Sequence, residues 1–179
     1  MKFVALIFLV VAFMVHADAE ETAIALFKTI GERLSYMPDV ALYKAKHGLP
    51  IEDLAREKIV IEKAKTSAYE AGLDPEYIED FFVAQISVAK AIQFRCRADL
   101  LSQPSAELPK DLNNEIRPHL IRLGDQIIQE IVVHIEKHGS FDRIQFTDFD
   151  ELIDGKYVTD SDKKLLFEAL LKIKKTSES

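Results

Sequence analysis

The sequence predicts an all-α protein, a single-domain bundle of about four long helices followed by short C-terminal ones. Three observations predict it. Apolar residues recur at three- and four-residue spacing through most of the chain. No two alternating runs are joined by a hairpin turn. Stop and start signals are spaced widely enough to leave long helices between them. With 179 residues, 48% of them hydrophobic and only 6 each of Gly and Pro, one domain can bury a core of its own.

Residues 1–19 stand apart from the rest. Lys2 gives a positive start, Phe3 to Val15 is an unbroken run of 13 apolar residues, and Ala17-Asp18-Ala19 resembles a small-x-small cleavage site. This is the pattern of a secretory signal peptide, leaving a mature domain over residues 20–179. A spanning helix needs roughly 20 apolar residues, and His16 and Asp18 interrupt this one, so no membrane association is expected after cleavage. Removing Lys2 and Asp18 leaves the formal net charge at −7, which argues against binding nucleic acid or acidic membranes. Export permits disulfides, yet Cys96 is the sole cysteine, so no bridge forms within one chain; the expected role is a small apolar side chain, an intermolecular bridge being the alternative.

From Thr22 onward, Ile24, Phe27, Ile30 and Leu34 mark the stripe of an amphipathic first helix, which Pro38 kinks or restarts. His47-Gly48-Leu49-Pro50 is a break, and a second helix follows from Ile51 to Ala71, closed by Gly72 as a left-handed C-cap. Asp74 is suited to cap the third helix and Pro75 to its first position, because proline's missing N–H has no intrahelical partner there. That helix reaches about Leu101, before a loop marked by Ser102 to Ser105 and Pro109. The fourth runs from about Asn114 to His138, with Pro118 tolerated in the first turn and Gly139 ending it. Beyond lie a short helix from Phe146 to Ile153, a turn at Asp154-Gly155, a last helix from about Ser161 to Lys175 capped by Thr159 or Asp160, and a frayed tail from Thr176 to Ser179. No internal repeat is present.

The chain has no glycine-rich phosphate loop, nucleophile elbow, His-Glu-x-x-His or cysteine pair, which counts against nucleophilic and redox chemistry. His134 and His138 are four apart but lack a third metal ligand, and read as two histidines on a wet helix end. The acidic stretch Asp148 to Glu151 misses the calcium-loop offsets and reads as solvated surface.

Arg33 and Lys44 are eleven apart, which places them within about 20° of one another on a continuous helix, either facing one pocket or as two solvated bases. Asp53, Arg56 and Glu57 share a helix face, as an ordinary surface ion-pair set does or as a constellation whose members orient one another. Gln85, Ala89 and Gln93 form a further stripe flanked by apolar residues, placing two amides at a core edge or in water.

Taken in order, Glu32-Arg33-Leu34, Val40-Ala41-x-x-Lys44, Leu49-Pro50-Ile51-Glu52-Asp53-x-x-Arg56-Glu57, Gly72-Leu73-Asp74-Pro75 and Ala89-Lys90-Ala91-Ile92-Gln93 resemble the secreted subclass of the all-helical chorismate mutases. The resemblance is dense from Glu32 to Arg95 and thinner to the C-terminus. It implies an isomerase that rearranges chorismate to prephenate by an intramolecular pericyclic step, with no metal and no cofactor, in a homodimer outside the cytoplasm. It further implies that Arg33 and Arg56 hold the substrate carboxylates and that Lys44 reaches a carboxylate and the ether oxygen. Gln93 would donate to that oxygen, while Asp53 and Glu57 meet the ring hydroxyl. Arg117 is the matching candidate to complete the pocket, with Arg122 one turn along as its rival. Where many relatives carry Ser or Thr, this chain has Ala89, so one hydroxyl contact is absent. Gln93 stands where some relatives use a glutamate that must be protonated, which implies turnover near neutral pH. The rival expectation, from another class, is a secreted interaction protein that keeps the fold without turnover.

Overall fold

A computed structural model describes the backbone of residues 2–176 and the side chains of residues 19–176. Its helices are α1 (Lys2–Ser35), α2 (Met37–Lys46), α3 (Leu54–Glu70), α4 (Pro75–Ser102), α5 (Arg117–His138), α6 (Phe146–Leu152) and α7 (Asp160–Leu170). No strand forms among the described residues; one isolated bridge pairs Leu73 with Lys175. The side chains of residues 1–18, on which the signal-peptide expectation falls, and residues 177–179 lie outside the described residues.

The stripe that begins at Ala23 and continues through Leu26, Phe27, Ile30 and Leu34 is fully buried, because this spacing keeps every member on one helix face. That face packs chiefly along α5, whose Leu123, Ile127, Ile131 and Ile135 repeat at the same spacing. At the bundle's lower end Phe27 meets Phe149 edge-on at 5.0 Å and Phe167 at 6.3 Å between ring centroids, which anchors α6 and α7 to α1. The backbones come closest at Gly31, where a Cβ would stand 2.9 Å from the Leu152 carbonyl oxygen. Only glycine admits that approach.

Pro38 restarts the helix instead of merely bending it: α1 ends at Ser35, Tyr36 turns, and α2 takes Pro38 into its first turn. The helix expected from Ile51, which is α3, begins three residues later, at Leu54. Asp53 is its N-cap, its side chain accepting from Arg56 N–H at 3.1 Å, while Ile51 drops into the core before the helix opens. Gly72, at φ +74°, closes α3, and Asp74 caps α4 by accepting from Glu76 N–H at 3.1 Å.

Ahead of α5 a wide turn over Leu112–Ile116 carries the Arg117 N–H back to the Leu112 carbonyl, and Asp111 caps it through Asn113 and Asn114 N–H. Pro118, which has no N–H to extend that pattern, follows directly.

The last helix ends at Leu170, short of the expected Lys175. The chain is pulled straight there because Asp74 N–H donates to the Lys174 carbonyl and Thr176 N–H to that of Gly72, both at 3.0 Å. The C-terminal segment thus staples the α3–α4 corner. Thr159, not Asp160, caps α7, with Asp162 reciprocating.

The wet helix-end reading of His134 is overturned. Past Gly139 the chain folds back, stacks Phe141 on the imidazole at 4.1 Å and leaves His134 with no exposed surface. Its Nε2 faces the Ser140 carbonyl at 3.2 Å and its Nδ1 the Thr22 hydroxyl at 2.8 Å. A carbonyl only accepts, so the neutral ring carries its proton on Nε2. Burial, with a smaller push from His138, lowers its pKa to about 4 against the opposing pull of the Ser140 carbonyl.

Candidate active site

Arg33, Lys44, Asp53, Arg56, Glu57, Gln93 and Arg117 all line one cavity of about 360 Å³ between α1, α2, α3, α4 and the start of α5. Five elements therefore contribute, each placed by the packing just described. Arg33, in the last turn of α1, and Lys44, in the last turn of α2, line the same cavity although the helix between them is not continuous but restarts at Pro38.

The two guanidiniums of Arg33 and Arg56 make no hydrogen bond or ion pair with any carboxylate among the described residues. Arg33 is only 6% exposed and its Nε has no partner there. Burial, and then the charge of Arg56, lower its pKa to about 10, so it stays charged at neutral pH. An arginine buried beside another arginine is unfavourable alone and becomes favourable around an anion.

Lys44 is 8% exposed and donates to the Ile51 carbonyl at 2.5 Å. Burial pushes its pKa below the ordinary lysine value; Asp53 and Glu57 pull it back up while Arg117 and Arg97 push it down. An ammonium has three donors, so two remain for a ligand.

The acids are held, not free. Asp53 Oδ1 caps α3 and its Oδ2 lies 3.3 Å from Arg117 Nη2. Arg117 is held a second time by the Asn113 side chain at 2.5 Å. Glu57 Oε1 accepts from Asp53 N–H at 3.4 Å and its Oε2 from Lys90 at 3.0 Å.

Gln93 is buried; its Nε2 donates to the Ala89 carbonyl at 3.1 Å and lies 3.6 Å from the Met37 sulfur, and its Oε1 has no partner among the described residues. Ala89 contributes a methyl to the wall. Gln85, by contrast, is fully buried away from the cavity, so neither amide faces water.

Arg122 does not line the cavity: it pairs with Glu32 at 3.7 Å on the surface. Lys90 was missed by the sequence reading, although it stands one turn before Gln93 on the same helix face. Deeper along α3, α4 and α5 the wall becomes apolar, through Val60, Ala64, Phe82, Leu120 and Ile128, ahead of a Lys63–Asp125 ion pair at 2.7 Å. No group of three or more metal-ligating side chains occurs among the described residues.

Fold and site together define a class: helical proteins with a cavity lined by buried cations and a neutral amide donor. Residues 20–94 match the family model of chorismate mutase type II. The chain is 39% identical over 146 residues to a secreted chorismate mutase of Yersinia pestis, covering 81% of this chain and 78% of that one. It is 34% identical over 151 residues to a monofunctional chorismate mutase of Enterobacter agglomerans, covering 84% and 83%. The crystal structure of the secreted Yersinia pestis enzyme superposes with a TM-score of 0.77 at 37% identity, over 85% of this chain and 98% of that one. This chain belongs to the chorismate mutase type II family.

Proposed function

We propose that the mature chain is an isomerase that converts chorismate to prephenate in this cavity. The observation that carries the reading is the pair of guanidiniums, Arg33 and Arg56, that have no protein carboxylate of their own and face one cavity with Lys44 and Gln93. Chorismate carries two carboxylates, for which the arginine fork is matched. In the reaction its ether C–O bond breaks as a new C–C bond forms within one molecule, and negative charge gathers on the ether oxygen. Lys44 and Gln93 are the donors for that charge, Asp53 and Glu57 the acceptors for the ring hydroxyl, and Arg117 a further carboxylate contact.

The magnitudes are compatible with such a site. An acceleration of about 10⁶ requires about 8 kcal/mol off the barrier. A donor aimed at developing charge is worth about 2.7 to 4 kcal/mol, and holding the reactive conformer removes further entropy.

The test is loss of the ultraviolet absorbance of chorismate on adding purified residues 20–179. Catalytic decay supports the reading; a folded protein that leaves the absorbance unchanged refutes it and favours the non-catalytic interaction protein. We further propose that residues 1–19 are a cleaved export signal, the relatives being named as secreted, and that the mature domain is a homodimer. Mass spectrometry of the exported product and light scattering in solution test these two points.

A further inference from the structure

Lys90 lies beside Ala89 in the cavity wall on α4, and the acids it meets are Glu57 in α3 and Glu52 in the segment just before α3. Its ammonium donates to Glu57 Oε2 at 3.0 Å and stands 3.9 Å from Glu52 Oε1. Glu57's other oxygen accepts from the Asp53 N–H. Each oxygen of Glu57 is therefore engaged once, one by the N-cap backbone of α3 and the other by a side chain from α4, and retains a lone pair for a further donor.

Without Lys90 this geometry has little to maintain it. Glu57 sits in the first turn of α3, its side chain is 19% exposed, and only a 3.4 Å contact with the Asp53 N–H would be left to orient it. A glutamate has several rotamers open to it, some of which turn the carboxylate out to water. Left unneutralised and pointing inward, it would also repel a ligand bearing two carboxylates. Lys90 acts against both outcomes, and its own 24% exposure means the pair is less screened than a surface ion pair.

We propose that Lys90 is a positioning residue for the rearrangement: it fixes and neutralises Glu57 so that the remaining lone pairs meet the ring hydroxyl of the substrate. The inference rests on the reading of the cavity as a chorismate site. A purely structural role, as a strap between α3 and α4, is the competing explanation. The two helices already pack through the buried Ala64 and Ala68 of α3, so that role predicts a loss of stability without a change in binding.

The test compares the mature wild type with Lys90→Met, Lys90→Arg, Glu57→Gln and the Lys90→Met/Glu57→Gln double variant, by initial rates on chorismate and by thermal melts. Lys90→Met raises KM about tenfold while kcat changes less than about threefold, and Lys90→Arg stays within about threefold of wild type. In the Glu57→Gln background, adding Lys90→Met shifts KM by less than about twofold, because no carboxylate is left to hold. If the Met variant fails to fold, Lys90→Gln is expected to show the same KM. Unchanged KM with a lowered melting temperature overturns the proposal in favour of the strap. A full tenfold effect persisting beside Glu57→Gln overturns it in favour of direct contact between Lys90 and substrate. Absence of turnover in the wild type overturns the reading of the cavity itself, and the role of Lys90 with it.

Discussion

Replacing Lys44 by Met removes the ammonium and keeps an unbranched side chain of similar reach, which separates chemistry from packing. The ammonium has three N–H donors, and the Ile51 carbonyl takes one. The other two are assigned to a substrate carboxylate and to the ether oxygen on which charge develops. Loss of the second contact weighs on the transition state, at about 2.7 to 4 kcal/mol, so kcat falls about 10²- to 10³-fold. Loss of the first raises KM as well.

Stability responds differently. The Ile51 carbonyl loses its donor, which costs about 1 to 3 kcal/mol if no water replaces it. Against that, a buried ammonium disappears whose pKa is lowered chiefly by desolvation, the attraction of Asp53 and Glu57 for it being opposed by the repulsion of Arg117 and Arg97. The two effects oppose one another, so the net change is expected within about 1 kcal/mol, a few degrees of melting temperature at most. Ultraviolet kinetics on chorismate and a circular dichroism melt of the same sample measure both. Turnover within tenfold of wild type would refute the role of Lys44, and a collapsed melt would show that it belongs to the fold. The lowered pKa adds a sign: in the wild type, activity fails on the alkaline side as Lys44 deprotonates, below the ordinary lysine value of 10.5.

Because Gln93 does not titrate, kcat/KM of the wild type is expected to be flat between about pH 5 and 8; a steep rise toward acid would contradict its assignment as donor. Gln93→Glu should create that rise, since only the protonated carboxyl donates. Arg117→Ala is expected to raise KM about tenfold or more, and Arg122→Ala to leave it within about twofold, the latter arginine pairing with Glu32 on the surface and not lining the cavity. His134 binds fewer protons folded than unfolded between its lowered pKa of about 4 and the ordinary 6.5, so stability falls with falling pH across that window. From pH 6.5 to 5 the loss from this group is about 1.5 kcal/mol, read by urea melts, and a His134→Gln variant loses that slope.

The elements were legible wherever a local signal sets them. Asp74-Pro75 announced α4, Gly72 and Gly139 announced two helix ends, and Thr159 was one of two named caps for α7. What escaped the sequence depends on chain segments remote from the residue concerned. The position of His134 near a helix end suggested water, and only the reversal after Gly139, which brings Phe141 over the ring, makes it a core residue. Lys175 looked helical by composition, but hydrogen bonds to Gly72 and Asp74 hold that segment straight. Asp53 lines the cavity, but as the cap of α3 and not as a residue inside it, because a capping aspartate and a first-turn aspartate look alike in a sequence.

The same limit applies to the cavity. Spacing allowed Arg33 and Lys44 to share a face on a continuous helix, and Asp53 to share one with Arg56 and Glu57, but nothing local said that these two sets line one cavity. Their order along the chain carried that information through the family resemblance. Lys90 lay inside a quoted motif and was passed over, since its partner Glu57 is on another helix and its place one turn before Gln93 is the one local signal.

The cations also show what kind of stability this fold spends on its site. Arg33 is buried next to Arg56 with its Nε unpartnered among the described residues, and Lys44 is desolvated, so the cavity holds positive charge that folding alone does not favour. The opposing term is the apolar core beneath it, where Phe27, Phe149 and Phe167 lock α1 to α6 and α7, and the α1–α5 stripes interdigitate. That division explains why the donors sit on helices and not on loops. A cation on a mobile loop would relax into water between turnovers and would have to be reordered each time, whereas one fixed by helix packing is already in place when charge develops. The same strain makes a dianion a stabilising ligand: whatever binds the folded cavity and not the unfolded chain returns part of that cost, by RT ln(1 + [L]/Kd).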